Sequence, residues 1–312
     1  MDCTALFTCL VLGAELNVVL VYSIIYMLSN GRGVNKMLSR FSEWVTVFTG
    51  ESGLYKHRQV KIFRKGEIVL LPEPPSDIFF FGLTVYKNKV RAWLGGDRLE
   101  CQEIDPFKES PKWKKCLDIS PIANDLNVIQ VLDDIWVFDL NKIYVVPPTG
   151  NVSEFKWPHD ILYSSSCLQT NGIITLVIPT GSRHVYINSD ATSPQSWEQL
   201  ATIPTLPNLR ACILIESSLY VTGGGYQDSY IRMTSYNESY VIDIESGNVK
   251  TLGDTLDHHY GHAMGIINGE PTVIGSSRDT TEVLDVATGT WRAGPTIFGM
   301  NFRPAAVSFA IN

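Results

Sequence analysis

An aromatic position returns at a fixed interval along this chain. Trp113, Phe155 and Trp197 follow one another in steps of 42 residues, and the step from Val249 to Trp291 is 42 again. A period between about 20 and 50 residues is the signature of one supersecondary unit copied along a sequence. Each copy is too small to bury its own apolar faces, so the copies must stack on their neighbours.

The clearest copy lies near the C-terminus, His262–Gly275 followed by Thr281–Trp291. It reads as strand, turn, strand, glycine, loop, strand, turn, tryptophan. The stretch before it repeats the order, with Arg210–Gly225 and then Ser239–Val249, where Val249 stands in the tryptophan slot. Further copies are Asn171–Gly181 with Trp197, Val131–Asp139 with Phe155, and Lys89–Gly96 with Cys101–Pro106 and Trp113. Trp44–Gly50, Gln59–Phe63 and Ile68–Pro72 make a sixth, and Asp77–Gly82 supplies a first strand to the copy that contains Trp113.

Every copy offers short runs rich in Val, Ile, Tyr and Thr, broken by Gly, Pro, Asn and Asp, the composition of strands and turns. Four short strands per unit, stacked radially, make a β-propeller. The end of the chain, Phe302–Asn312, matches the first strand of a copy, whereas the copy at Trp44 starts at its second strand. The C-terminal strand is therefore expected to complete the N-terminal blade and close the ring without an open edge. The expectation is an all-β, six-bladed propeller over residues 41–312, with residues 1–40 outside it.

The order of hydrophobic strand, Gly-Gly, strand ending in Asp, a polar stretch and Trp resembles the kelch repeat. Gly95-Gly96, Gly223-Gly224, Asp105, Asp243, Asp285, Trp113, Trp197 and Trp291 match that pattern. The double glycine is lost at Thr49-Gly50, Phe138-Asp139 and Gly275-Ser276, so the resemblance is to a divergent member. It implies a binding module. Galactose-oxidase-like enzymes with similar repeats supply the alternative, an enzyme acting on a sugar or small molecule.

Residues 3–28 are almost wholly apolar apart from Glu15 and Asn17. A secretory signal opens with positive charge and ends in a small-x-small site, but this stretch opens Met1-Asp2-Cys3. A membrane span needs about 20 apolar residues, and a central carboxylate such as Glu15 costs about 2.5–3.5 kcal/mol. Signal, anchor, and a strand at Val18–Leu28 packed on the domain are the three readings. The first two favour a secreted or membrane-anchored protein and leave membrane association through residues 3–28 open. Beyond this stretch, Cys101, Cys116, Cys167 and Cys212 show no metal-ligand spacing and can form two cystines, with Cys101–Cys116 and Cys167–Cys212 as candidate pairs.

The net charge of −7 and the lack of a Lys/Arg-rich run exclude a nucleic-acid partner, which needs a positive stripe. His258-His259-Tyr260 and His262 could ligate copper or zinc, but His262 occupies the repeat's own histidine slot and no further ligand is identifiable, so no metal or cofactor is expected. In a four-stranded meander the second-to-third and fourth-to-first loops emerge on one face. That face collects His57, Arg183, Arg232, His258 and Arg278 among Tyr226, Tyr230 and Tyr236. Tyr and Arg are favoured at binding hot spots, and a locally basic mouth on an acidic chain suits another protein or an acidic peptide. Arg210 reads as a structural repeat position.

Overall fold

The structure is a computed structural model. It describes residues 43–52, 57–74, 79–95, 99–119, 127–139, 142–158, 165–205, 208, 210–227, 233–275, 280–297 and 302–311. The readings of residues 1–40 lie outside these. Among the described residues every regular element is a strand, and no helix is long and apolar enough to cross a membrane.

The strands form six four-stranded antiparallel blades. Blade 1 holds β1 (Glu43–Ser52), β2 (His57–Arg64) and β3 (Glu67–Leu71); blade 2 holds β4 (Phe79–Tyr86), β5 (Lys89–Gly95), β6 (Leu99–Ile104) and β7 (Lys114–Ile119). Blade 3 runs through β8 (Asn127–Val131), β9 (Asp134–Asp139), β10 (Lys142–Val146) and β11 (Ser153–Lys156). Blade 4 follows with β12 (Ser165–Thr170), β13 (Thr175–Pro179), β14 (His184–Asn188) and β15 (Trp197–Thr202). In blade 5, β16 (Ala211–Ile215) and β17 (Ser218–Thr222) are separated from β20 (Ser239–Asp243) and β21 (Val249–Thr251) by an extra hairpin, β18 (Gly225–Gln227) with β19 (Met233–Ser235). Blade 6 comprises β22 (Ala263–Ile267), β23 (Glu270–Ile274), β24 (Thr281–Asp285) and β25 (Thr290–Ala293). The last strand, β26 (Phe302–Ile311), pairs antiparallel with β1 and becomes the innermost strand of blade 1, as the ends of the sequence predict.

Each innermost strand lies beside those of both neighbouring blades, and the cycle closes from β22 through β26 to β4. The core is divided in the same way, one cluster per gap between blades. Because a strand points successive side chains to opposite faces, Leu176 and Ile178 of β13 pack toward blade 5 while Val177 between them packs toward blade 3. Leu219 and Val221 of β17 likewise face blade 4 and Tyr220 faces blade 6. Both faces are buried, which is why these strands read as unbroken apolar runs rather than alternating ones.

In blades 2, 4 and 6 the recurring tryptophan locks the blade to the one before it, whereas Phe155 of blade 3 packs toward blade 4. Trp113 donates its Nε1–H to the carbonyl of Pro72 in blade 1 at 2.7 Å, and Trp291 donates to Ser239 Oγ in blade 5 at 3.0 Å. Trp197 packs its ring 4.9 Å from that of Trp157 and 5.9 Å from Phe138, at the edge of blade 3. Aromatic pairs of this kind contribute about 0.5–1.5 kcal/mol beyond their burial. Both candidate cystines form. Cys101–Cys116 ties β6 to β7 inside blade 2, and Cys167–Cys212 ties the innermost strands of blades 4 and 5.

The sequence-predicted first strand of blade 2, Asp77–Gly82, is described from Phe79 and runs on to Tyr86, while Asp77 and Ile78 lie outside the described residues. It ends where Lys87 and Asn88 turn the chain with φ of 50° and 61°, the two left-handed residues that a tight hairpin with right-handed strand twist requires.

Candidate binding face

Around blade 5 the loop joining second to third strands and the connections to blades 4 and 6 are knitted together on one face of the ring. Asn208, in the connection from blade 4 to blade 5, exchanges two backbone bonds with Gly225 in the loop of blade 5 at 2.7 and 2.8 Å. Tyr236, at the far end of that loop, pairs in turn with His259 in the connection from blade 5 to blade 6. The hairpin of β18 and β19 stands between these attachments. The step from Trp197 to Val249 is ten residues longer than the other repeat steps, and the hairpin takes up that length.

Gly223-Gly224 makes the junction. The Gly224 N–H donates to the His259 carbonyl at 2.9 Å, and the Gly223 N–H donates to that of Glu238 at 2.9 Å. Gly223 has φ of 55°, and a Cβ there would lie 2.8 Å from His262 Cε1 and 2.9 Å from the His259 carbonyl oxygen. The double glycine of the repeat thus lets the backbone pass against a pair of buried imidazoles.

Those imidazoles are structural. His262 Nε2 shares a 2.7 Å hydrogen bond with Thr222 Oγ1, and His259 Nε2 lies 2.8 Å from Glu282 Oε1. Burial holds the His262 pKa well below its ordinary 6.5, and neighbouring His259 pushes it the same way. For Glu282, burial alone would raise the pKa. The hydrogen bonds it accepts from His259 and from the N–H groups of Leu256 and Asp257 outweigh burial and leave it lowered. Among the described residues no group of three or more His, Cys, Asp or Glu side chains is arranged to hold a metal ion.

Sequence reasoning missed the unusual group on this face, Arg210. It occupies the same repeat slot as His262, thirteen residues before the glycines, and is only 3% exposed. Its Nη2 donates to the carbonyl and hydroxyl of Thr205, while among the described residues Nε and Nη1 have no acceptor. Burial brings its pKa down to about 10, against the pull of Tyr240 and Glu238, so it stays charged at neutral pH. Asn208 Oδ1, Glu238 Oε2 and the Nδ1 atoms of His259 and His262 are also buried without a partner. An unsatisfied buried polar group costs about 1–3 kcal/mol, and more when charged. Native structures keep few of them, and each one calls for a role. Most of those among the described residues gather around the attachments of a single hairpin. A charged residue opening an otherwise apolar innermost strand was the signal available in the sequence.

Of the expected site residues, Arg183 is exposed in the loop of blade 4, where Nη1 lies 3.5 Å from the Pro204 carbonyl. His258 is exposed and Tyr236 half-buried, and the bridge between Tyr236 and His259 brings them together. His57 begins β2 opposite Ser52, and Tyr226 pairs with Thr234 in the hairpin; their side chains, and Tyr230, Arg232 and Arg278 altogether, lie outside the described residues.

A central cavity of about 580 Å³ is lined by all six innermost strands, including Leu83, Ile129, Leu168, Leu214, Met264 and Phe309. Several of its polar groups are engaged within the chain. The Thr84 hydroxyl accepts from Trp93 Nε1 at 2.9 Å, Gln169 Nε2 donates to the Cys212 carbonyl at 3.1 Å, and Gln130 Nε2 donates to the carbonyls of Leu132 and Asp134. The lining holds strands together rather than presenting a converging catalytic set. No protein-family model matches the chain, and no curated protein matches it.

Proposed function

We propose that this chain is a divergent kelch-type propeller that binds another protein, through an acidic segment, on the loop face of blades 4 to 6. The observation that carries the reading is Arg210, a buried cation with two unused donors beside other unsatisfied polar atoms at the base of the extra hairpin. A carboxylate is the group a guanidinium accommodates best, and charge-assisted hydrogen bonds are about twice as strong as neutral ones. Tyr226, Tyr230, Arg232 and Tyr236 belong to the same loop, which fits an aromatic and basic rim around a charged anchor. The enzyme alternative has no comparable convergence of groups among the described residues. Two cystines further support maturation in an oxidising compartment, in keeping with a secreted or surface protein.

The test is fluorescence anisotropy with labelled acidic peptides, using the intact chain, Arg210→Leu and a Tyr226→Ala/Arg232→Ala/Tyr236→Ala variant. Replacing an unpaired buried charge with an apolar residue of similar volume is expected to leave stability unchanged or raise it by about 1–4 kcal/mol, while peptide binding is lost in both variants. Acidic-peptide binding that survives both sets of substitutions unchanged would refute the site. So would failure of every acidic peptide to bind the intact chain.

A further inference from the structure

The outermost strand of blade 1 differs from its five counterparts. Along β3, Ile68, Val69 and Leu70 are 39, 49 and 60% exposed, three aliphatic residues in a row on the strand that, among the described residues, forms the outer edge of its sheet. Each of the other outermost strands carries an exposed charge within it, Lys115, Glu154, Glu198, Lys250 and Arg292, whereas the one exposed charge of β3 is its first residue, Glu67. Such charges are how sheet edges avoid pairing with another chain. The cause lies one strand inward. Phe63 of β2 fills the gap toward blade 6, against Ile267, Ile274 and Ile297, and its cross-strand partner Ile68 is left at the surface.

Backbone parity sets how this edge can pair. The turn Lys65-Gly66 has positive φ at both positions and joins Arg64 directly to Glu67. In a two-residue hairpin that flanking pair exchanges both backbone bonds, so Glu67, Val69 and Leu71 face β2, whereas Ile68 and Leu70 direct their N–H and C=O outward.

We propose that β3 pairs with the β3 of a second copy of this chain, antiparallel about a two-fold axis at Val69. In that register the outward groups of Ile68 in one copy meet those of Leu70 in the other, and the two Val69 side chains form a close pair at the axis. Lys65 comes opposite Glu73 of the second copy, and no like charges are opposed. The ladder stops at Pro72, which has no N–H and whose carbonyl already accepts from Trp113. The contact is self-complementary and closes on itself as a dimer. A ladder of five residues a side buries less than the roughly 1,200–2,000 Å² of a stable interface, so the dimer forms and dissociates with concentration.

Sedimentation velocity on the full chain over a range of concentrations tests this, with Val69→Lys and Val69→Cys alongside. Val69 is half-exposed, so neither substitution perturbs the core, and a thermal melt confirms it. Val69→Lys opposes two like charges at the axis and is expected to raise the dimer dissociation constant about tenfold or more. In Val69→Cys the introduced thiols lie about 4.5 Å apart between Cα atoms, within disulfide range. Mild oxidation is therefore expected to give a covalent dimer faster than in Glu67→Cys, whose thiols lie off the axis. A chain that stays monomeric at every concentration overturns the proposal. So does association unchanged by Val69→Lys, or cross-linking of Val69→Cys no faster than of Glu67→Cys.

Discussion

Removing the cystines one at a time gives the sharpest quantitative test of the ring. Cys167 and Cys212 are 45 residues apart and join neighbouring blades, whereas Cys101 and Cys116 are 15 apart within one blade. If a cystine acts mainly by restricting the unfolded chain, the longer loop contributes about 4 kcal/mol at 25 °C and the shorter about 3 kcal/mol. For a domain of this size each kcal/mol moves the melting temperature by about 2 °C. The Cys167→Ala/Cys212→Ala variant should therefore melt about 8 °C below the intact chain, and Cys101→Ala/Cys116→Ala about 6 °C below. Burial reinforces the order, since Cys167 and Cys212 both lie in the core between blades 4 and 5 while Cys116 is only half-buried. Calorimetry reads the melting temperatures, and urea titration should show a steeper slope for both variants, because an uncross-linked chain exposes more surface on unfolding. Loss of the shorter cystine costing more than loss of the longer would refute the loop-entropy reasoning. Alkylation of all four thiols in unreduced native protein would refute the cystines themselves.

Other outcomes follow from the binding face. Gly223→Ala places a Cβ against His262 and the His259 carbonyl at positive φ and should cost about 3 kcal/mol or more by chemical denaturation. Gly66→Ala, also at positive φ but with nothing within 4 Å of the new Cβ, should cost about 1–2 kcal/mol. Acid should destabilise the protein in two stages. His262 is held neutral in the folded state, so the unfolded chain binds the extra proton and stability falls as pH drops below the ordinary 6.5. Glu282, lowered in the fold, adds a second loss as pH falls from its ordinary 4.5 toward its folded value. Melts between pH 5 and 6.5 should therefore flatten in His262→Gln, and an unchanged slope would assign the effect to another group.

The architecture was legible because its physics is periodic. A tryptophan that must reach the preceding blade has to recur at blade intervals, and Phe302–Asn312 declared itself as a first strand without a sheet. The cystine pairs were legible only as candidates, from four cysteines without metal-ligand spacing. The site was legible only in outline. Loop polarity pointed to the face, but Arg210 shares its slot with His262, and sequence gives no reason to expect a neutral ring with one unmet nitrogen at one and a charged group with two unmet nitrogens at the other. That difference arises from what the neighbouring blade offers. His262 meets Thr222, whereas Arg210 finds only Thr205 for one of its three nitrogens. The exposed stripe on β3 was hidden differently. Ile68, Val69 and Leu70 read as an ordinary buried strand until Phe63 is seen to have taken the inter-blade position.

The seam in blade 1 also sets a timetable. Thr46 and Ser308 are hydrogen-bonded across it although 262 residues separate them along the chain. At about 5–20 residues per second, synthesis brings out the second partner some 13–50 s after the first. During that interval the β1 edge is a ready template for any passing strand, and blades 2 to 6 can form without a ring to hold them. The contact that removes the last open edge from around the central cavity is thus the last to become available.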